Sequence, residues 1–443
     1  MIARLITHER WVPLVAGLAW WATFHPGFLS EDSFINLADA RSGDISVWFT
    51  AWWVYVVGAL SLGTRAISLL TLLSVIGLEY AVYFWVVTVF PKTPARAITV
   101  LLIGASPLVG AMGIQVRHDV ALGAGLLMCA AVLTRTWATT TFARRDGLLL
   151  LLAIPLVATR HNGAPTIAAA AVFVLIAGKR RWRQAAALLG VAAGATMITL
   201  AATRASGNTS AMDPVQTVEW LMGDISCLLG HGAEPTEAEW RMLTRVAGRG
   251  DWPQLRACVV MNPILLERSA NQAAVVVNYR DLIDVWRSLG LRYPFGMLSA
   301  HASRVRLFLP PLPPFEVPSF LHSTIVPNDF GMQWSVPAVA ERARIVVRAW
   351  NAAGFLLANS MLWLMVLIAI AWRAPSWRDR LVPTIVIALA LNLGLLVAAP
   401  ISEGRYALFI LICGQAAALY QCVIPYSRMS MPTAYASGEN RKK

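Results

Sequence analysis

The chain has 443 residues, of which 57% are hydrophobic and 14% charged, and its mean hydropathy is +0.59. Soluble domains carry roughly 25% charged residues, so composition excludes a soluble globular enzyme and points to a polytopic helical membrane protein. The net charge of +13 is not a nucleic-acid signature, because the basic residues sit in short loops between apolar runs, where they set membrane orientation.

In chain order, a short basic start (Arg4, Arg10) precedes the first apolar run, 11–28. No A-x-A-like cleavage site follows it, so it reads as a retained anchor. The run stops at Pro26-Gly27, within "FHPGFLSEDSFINLADA", and two adjacent acids follow, Glu31 and Asp32. Asp32 or Ser33 is placed to cap a surface helix at "SFINLADA". The tryptophans Trp48, Trp52 and Trp53 come next, and interfacial anchoring suits them. The apolar stretch 51–62 is too short to cross and is expected to be interfacial or re-entrant.

Further spans are expected at 67–90, 97–116, 120–138, 184–203, 346–371, 381–400 and 405–424. Glu79, inside 67–90, is expected to face the interior and pair with an arginine. The stretch 147–178 is interrupted by "TRHNGAP" and reads as a hairpin of two short arms. Ten spans with a cytoplasmic N-terminus place Lys92, Arg96, Arg144, Arg145, Arg180, Arg181, Arg378 and the tail "GENRKK" inside. If 51–62 crossed, every later loop would change sides.

Four regions follow: 1–203, an N-terminal transmembrane module; 204–345, an extracytoplasmic region; 346–426, C-terminal transmembrane helices; and 427–443, a cytoplasmic tail. In the second region, "EPTEAEWRMLTRVAGRGDW" and "NQAAVVVNYRDLIDVWRSLG" read as amphipathic surface helices, and "PPLPPFEVP" as a rigid linker. It is too small and broken to read as a separate domain. The five cysteines show no metal spacing. Cys227 and Cys258 share this region and would be free to pair in an oxidising compartment, though spacing alone does not decide it.

The short charged motifs left over by the inside rule fall on the outer face. They are Glu31-Asp32, "RHD" (Arg117, His118, Asp119), "RHN" (Arg160, His161, Asn162) and "EGR" (Glu403, Arg405). Any one of them also suits a snorkelling anchor at a helix end. Together they offer forked donors for phosphate oxygens and a carboxylate able to take a proton from an attacking hydroxyl. A sugar on a lipid phosphate fits that pairing, since cations stabilise the departing phosphate. One base opposite a departing phosphate implies inversion at the sugar carbon.

Four stretches resemble the glycosyltransferase-C (GT-C) superfamily, within it the bacterial glycosyltransferase-39-like membrane proteins. They are "HPGFLSEDSF", "SPLVGAMGIQVRHDVALGAG", "RHNGA" and "SEGRYAL". The resemblance covers about 1–165 and 400–410. It implies an all-α, GT-C-like multi-span bundle, with interfacial helices in the first outer loop, a large outer loop and an active site facing out. It implies a polyprenyl-phosphate sugar donor and a glycan, lipid or protein acceptor at a bacterial plasma membrane. By that resemblance Asp32 is the catalytic base, Asp119 a second acid for substrate or a divalent metal, and Arg160 and Arg405 face the phosphate. The chain departs from it in having its first two acids adjacent, which leaves metal use open. The competing readings are a transporter or flippase of a lipid-linked saccharide, using the same cations without breaking a bond, and a non-catalytic membrane scaffold.

Overall fold

The computed structural model describes residues 8–43, 45, 49–61, 67–139, 141–178, 181–207, 214–258, 271–310, 321, 323–373, 375–399 and 404–429. Trp48, Arg180, Glu403, the tail "GENRKK" and all but the first residue of the proline-rich stretch lie outside this set.

Helix α1 (Val12–Thr23) ends where the chain reaches Pro26-Gly27. Gly27 has φ +135°, and a Cβ there would lie 2.4 Å from the Ile114 carbonyl oxygen, so only glycine suits the turn. Helix α2 (Glu31–Ser42) begins two residues earlier than the expected start at Ser33. Ser30, not Asp32 or Ser33, is the N-cap: its backbone N–H donates to Ser33 Oγ at 3.1 Å. Asp32 thereby falls in the first turn, where a helix N-terminus favours negative charge. Helix α3 (Ala51–Ser61) is 11 residues long and packs on α2.

Helix α4 (Ile67–Val89) is 23 residues long, about 34 Å at 1.5 Å per residue, enough to cross a bilayer core. The expected span 97–116 is instead two helices, α5 (Pro94–Gly104) and α6 (Pro107–Gly113), bent by 47°. The cause is local: Pro107 has no N–H to continue the ladder, and Ser106 caps the new helix through Val109 N. Helix α7 (His118–Thr139) follows and is the most enclosed of the long apolar helices, packed against α4, α8 (Arg144–Val157), α18 (Pro375–Ala398) and α19 (Leu408–Met429). The hairpin arms are α8 and α9 (Gly163–Ala177), with α10 (Trp182–Ala205) packed on both.

Two further corrections concern the apolar runs. The stretch 346–371 is not one helix: α15 (Pro337–Ala352) and the single turn α16 (Gly354–Leu357) precede α17 (Ser360–Arg373). Asn359 starts α17 by accepting from Leu362 N at 2.7 Å. Glu79 is buried against Gly17 and Gly104 and has no arginine partner among the described residues. Five described helices are long and apolar enough to cross a membrane, and the bent pair α5–α6 brings the number to six; the remaining expected spans are shorter helices.

The region after α10 is more organised than its sequence suggests. Helices α11 (Pro214–Gly230), α12 (Glu237–Val246), α13 (Gln272–Arg292) and α14 (Pro294–Arg304) enclose an apolar core of their own around Met222, Ile225, Trp252 and Leu289. A Cys227–Cys258 disulfide ties α11 to the segment after α12. A buried polar cluster fastens this unit to the C-terminal end of α18. Arg304 donates to Asp224 Oδ1 at 2.9 and 3.1 Å, and His301 Nε2 donates to the Leu396 carbonyl at 2.7 Å.

Candidate active site

Four separate stretches meet at one end of the bundle. The loop before α2 is held first. Phe28 N donates to Ile114 O at 3.2 Å, and Leu29 pairs with the 324–326 segment through Leu29 N to Thr324 O (3.1 Å) and Val326 N to Leu29 O (3.0 Å). The Thr71 hydroxyl donates to Pro26 O at 2.6 Å. On the other side Thr50 Oγ1 donates to Thr159 O at 3.0 Å, and Thr159 Oγ1 to His118 O at 3.2 Å. Gly163 closes the hairpin tip, since a Cβ there would lie 2.2 Å from the Val157 carbonyl oxygen. These contacts fix the backbones that carry the charged groups.

On this frame Arg405 donates through Nη1 to Asp32 Oδ2 at 2.7 Å, and Arg117 Nη1 lies 3.7 Å from the same oxygen. Asp119 Oδ1 is engaged by Arg160 and lies 3.8 Å from His118 Nε2, while its Oδ2 lies 3.9 Å from Arg405 Nε. Arg405 therefore bridges the two carboxylates. The acids differ in access: 37% of the Asp32 side chain is exposed, against 1% for Asp119. Three guanidinium groups face two carboxylates, which leaves an excess of positive charge.

The structure thus brings together Asp32, Arg117, His118, Asp119, Arg160 and Arg405. Glu31 is exposed beside them on α2, and His161 is exposed at the hairpin tip. Asn162 precedes α9, and its buried Oδ1 has no hydrogen-bond partner among the described residues. Glu403 lies outside the described residues.

Sequence reasoning placed Tyr406 inside the "SEGRYAL" stretch but gave it no role; its ring lies under Arg160 (4.2 Å) and Arg405 (5.2 Å) and holds both side chains by cation–π contact. Sequence reasoning missed the 324–326 segment, which carries no motif, and the aromatic wall of His118, formed by Phe49 and Trp53.

A divalent metal does not fit these residues. Asp119 Oδ1 and Asp32 Oδ2 already face Arg160, Arg405 and Arg117, and a further cation would sit among guanidinium groups.

No protein-family model matches the chain, and no curated protein matches it in sequence. Among solved structures it is similar to the archaeal oligosaccharyltransferase AglB from Archaeoglobus fulgidus, in complex with an inhibitory peptide and a dolichol-phosphate. The identity is 12% and the TM-score 0.45, over 98% of this chain and 52% of that one. This chain therefore spans about half the length of that enzyme. A similarity of this size assigns neither family nor activity.

Proposed function

We propose that this chain is a membrane glycosyltransferase of GT-C type. It moves a sugar from a polyprenyl-phosphate carrier to a hydroxyl acceptor at the extracytoplasmic face, with inversion at the sugar carbon. The observation that carries this reading is the exposed Asp32 carboxylate held beside Arg405 and Arg117, with Arg160 fixed next to them on buried Asp119. The Cys227–Cys258 disulfide supports an oxidising compartment for the adjoining helical unit.

In this reading Asp32 accepts the proton of the acceptor hydroxyl. The acceptor oxygen bonds to the anomeric carbon as the bond from that carbon to the phosphate oxygen breaks. The electron pair leaves with the polyprenyl phosphate, and Arg117, Arg160 and Arg405 neutralise the charge that builds there. Asp119 aims Arg160 and Arg405 and does not itself touch the reacting atoms.

The test is transfer from a synthetic polyprenyl-phosphate sugar by purified protein. Asp32→Asn is expected to lose about 10²–10⁴-fold in kcat, the usual range for a general base, while donor binding persists. Translocation of donor across vesicles by wild type and Asp32→Asn alike, with no new glycosidic bond, would establish a flippase instead.

A further inference from the structure

A second cluster of cations lies at the opposite end of the bundle. There a cavity of about 510 Å³ opens between the C-terminal turn of α4, the turn that follows it, and the start of α18. That volume is in the range of small-molecule sites, roughly 300–1,000 Å³. Thr134 reaches it from α7, sixteen residues beyond His118, about 24 Å along the helix. The cavity therefore lies about 24 Å along α7 from His118, and it is separate from the site above.

Its charges are unequal in availability. Arg96 is paired with Glu9. Asp379 acts electrostatically on Arg181. Lys92 and Arg380 line the cavity, and among the described residues neither has a carboxylate within ion-pair distance. Arg380 spends one N–H on the Val89 carbonyl at 3.2 Å, which fixes its guanidinium at the rim. Val87, Phe90 and Pro91 add an apolar wall.

We propose that this cavity binds the phosphate of an anionic phospholipid headgroup, with Lys92 and Arg380 as its cationic partners. Two arguments select a lipid over a soluble phosphate. The apolar wall suits the glycerol and first acyl carbons, which a free phosphate lacks. The cavity also lies at the end that gathers Arg96, Arg135, Arg144, Arg181 and Arg380, the cytoplasmic end by the positive-inside rule. Basic pockets between helices on that side hold anionic headgroups. The proposal is independent of the glycosyl-transfer reading, and either stands if the other fails.

The experiment uses the full chain in phosphatidylcholine nanodiscs, titrated with phosphatidylglycerol and followed by native mass spectrometry. Wild type is expected to retain phosphatidylglycerol over phosphatidylcholine. Each removed charge is worth about 1 kcal/mol near an anionic surface, so Lys92→Ala and Arg380→Gln should each weaken retention about 5-fold, and the pair about 25-fold. Lys92 is exposed, so its variant tests the site without disturbing the fold. Arg144→Gln, exposed on the same face but outside the cavity, should leave retention unchanged. An equal loss in Arg144→Gln, or no loss in the double variant, would overturn the proposal. Displacement of the lipid by millimolar inorganic phosphate would reassign the cavity to a soluble phosphate and overturn the lipid assignment.

Discussion

Asp119 is the buried half of the candidate site, and the proposed reading makes it a support. Its carboxylate is engaged by Arg160 and approached by His118 and Arg405. Removing one partner of a buried ion pair typically costs about 3–5 kcal/mol, because the other charge is left without compensation. Asp119→Ala is therefore expected to lower the thermal midpoint and to impair donor binding together, measured by melting with and without donor lipid. Asp32→Asn, at a half-exposed carboxylate, should leave the midpoint nearly unchanged; if it melts as early as Asp119→Ala, the division of roles is wrong. Gly27 is a second sensitive position. Gly27→Ala forces a side chain into φ +135° and onto the Ile114 carbonyl, at a cost of roughly 1–3 kcal/mol, again read from the melt. At this scale the charged residues were legible, since ionisable groups at helix ends of a membrane protein stand out. The role of Tyr406 was not, because an aromatic beside an apolar helix is ordinary until two guanidinium groups are seen packed on it.

Among the elements, long uninterrupted apolar runs gave helices close to where periodicity and length put them: α4, α7, α10 and α18. The errors fell where small breaks decide the path. Ser106-Pro107 splits one run, and the turn at Ala353 with the cap at Asn359 splits another; hydropathy averages over such residues. The amphipathic helices α12 and α13 were legible, whereas their common core was not, because it depends on contacts between segments far apart in sequence. In that core Glu219 is 5% exposed. Burial pushes its carboxyl up to about 7, against the opposing pull of Arg304. The folded value lies above the unfolded one, about 4.3. Its contribution to stability is therefore whole below about pH 4 and lost as pH rises through 7, a change of about 3–4 kcal/mol. Hydrogen exchange of α11 amides, corrected for intrinsic rates, should show opening that becomes easier from pH 5 to 8. Glu219→Gln should flatten that dependence; an unchanged slope would assign it to another group.

For the whole molecule the central issue is sidedness. The Asp32 cluster and the helical unit joined through Arg304 and His301 lie at one end, and Arg96, Arg135, Arg181 and Arg380 at the other. In a background with exposed Cys422 replaced by Ser, Glu237→Cys should react with a membrane-impermeant maleimide in intact cells. Arg144→Cys should react only after lysis. Labelling of both before lysis, or the reverse order, would remove the extracytoplasmic placement on which the functional reading depends. The Cys227–Cys258 bond should likewise persist in protein alkylated during extraction.

Composition and the spacing of charges by themselves determined that the chain is a helical membrane protein and which charged residues stand at helix ends. Those properties follow from hydrophobic transfer and backbone hydrogen bonding, which act locally along the sequence. Only the tertiary structure decided that Arg405 bridges Asp32 and Asp119, that Asp119 is buried while Asp32 is not, and that Cys227 pairs with Cys258. The physical reason is that partners 286 and 373 positions apart meet through the packing of α7, α18 and α19, and no local pattern in the chain encodes that meeting.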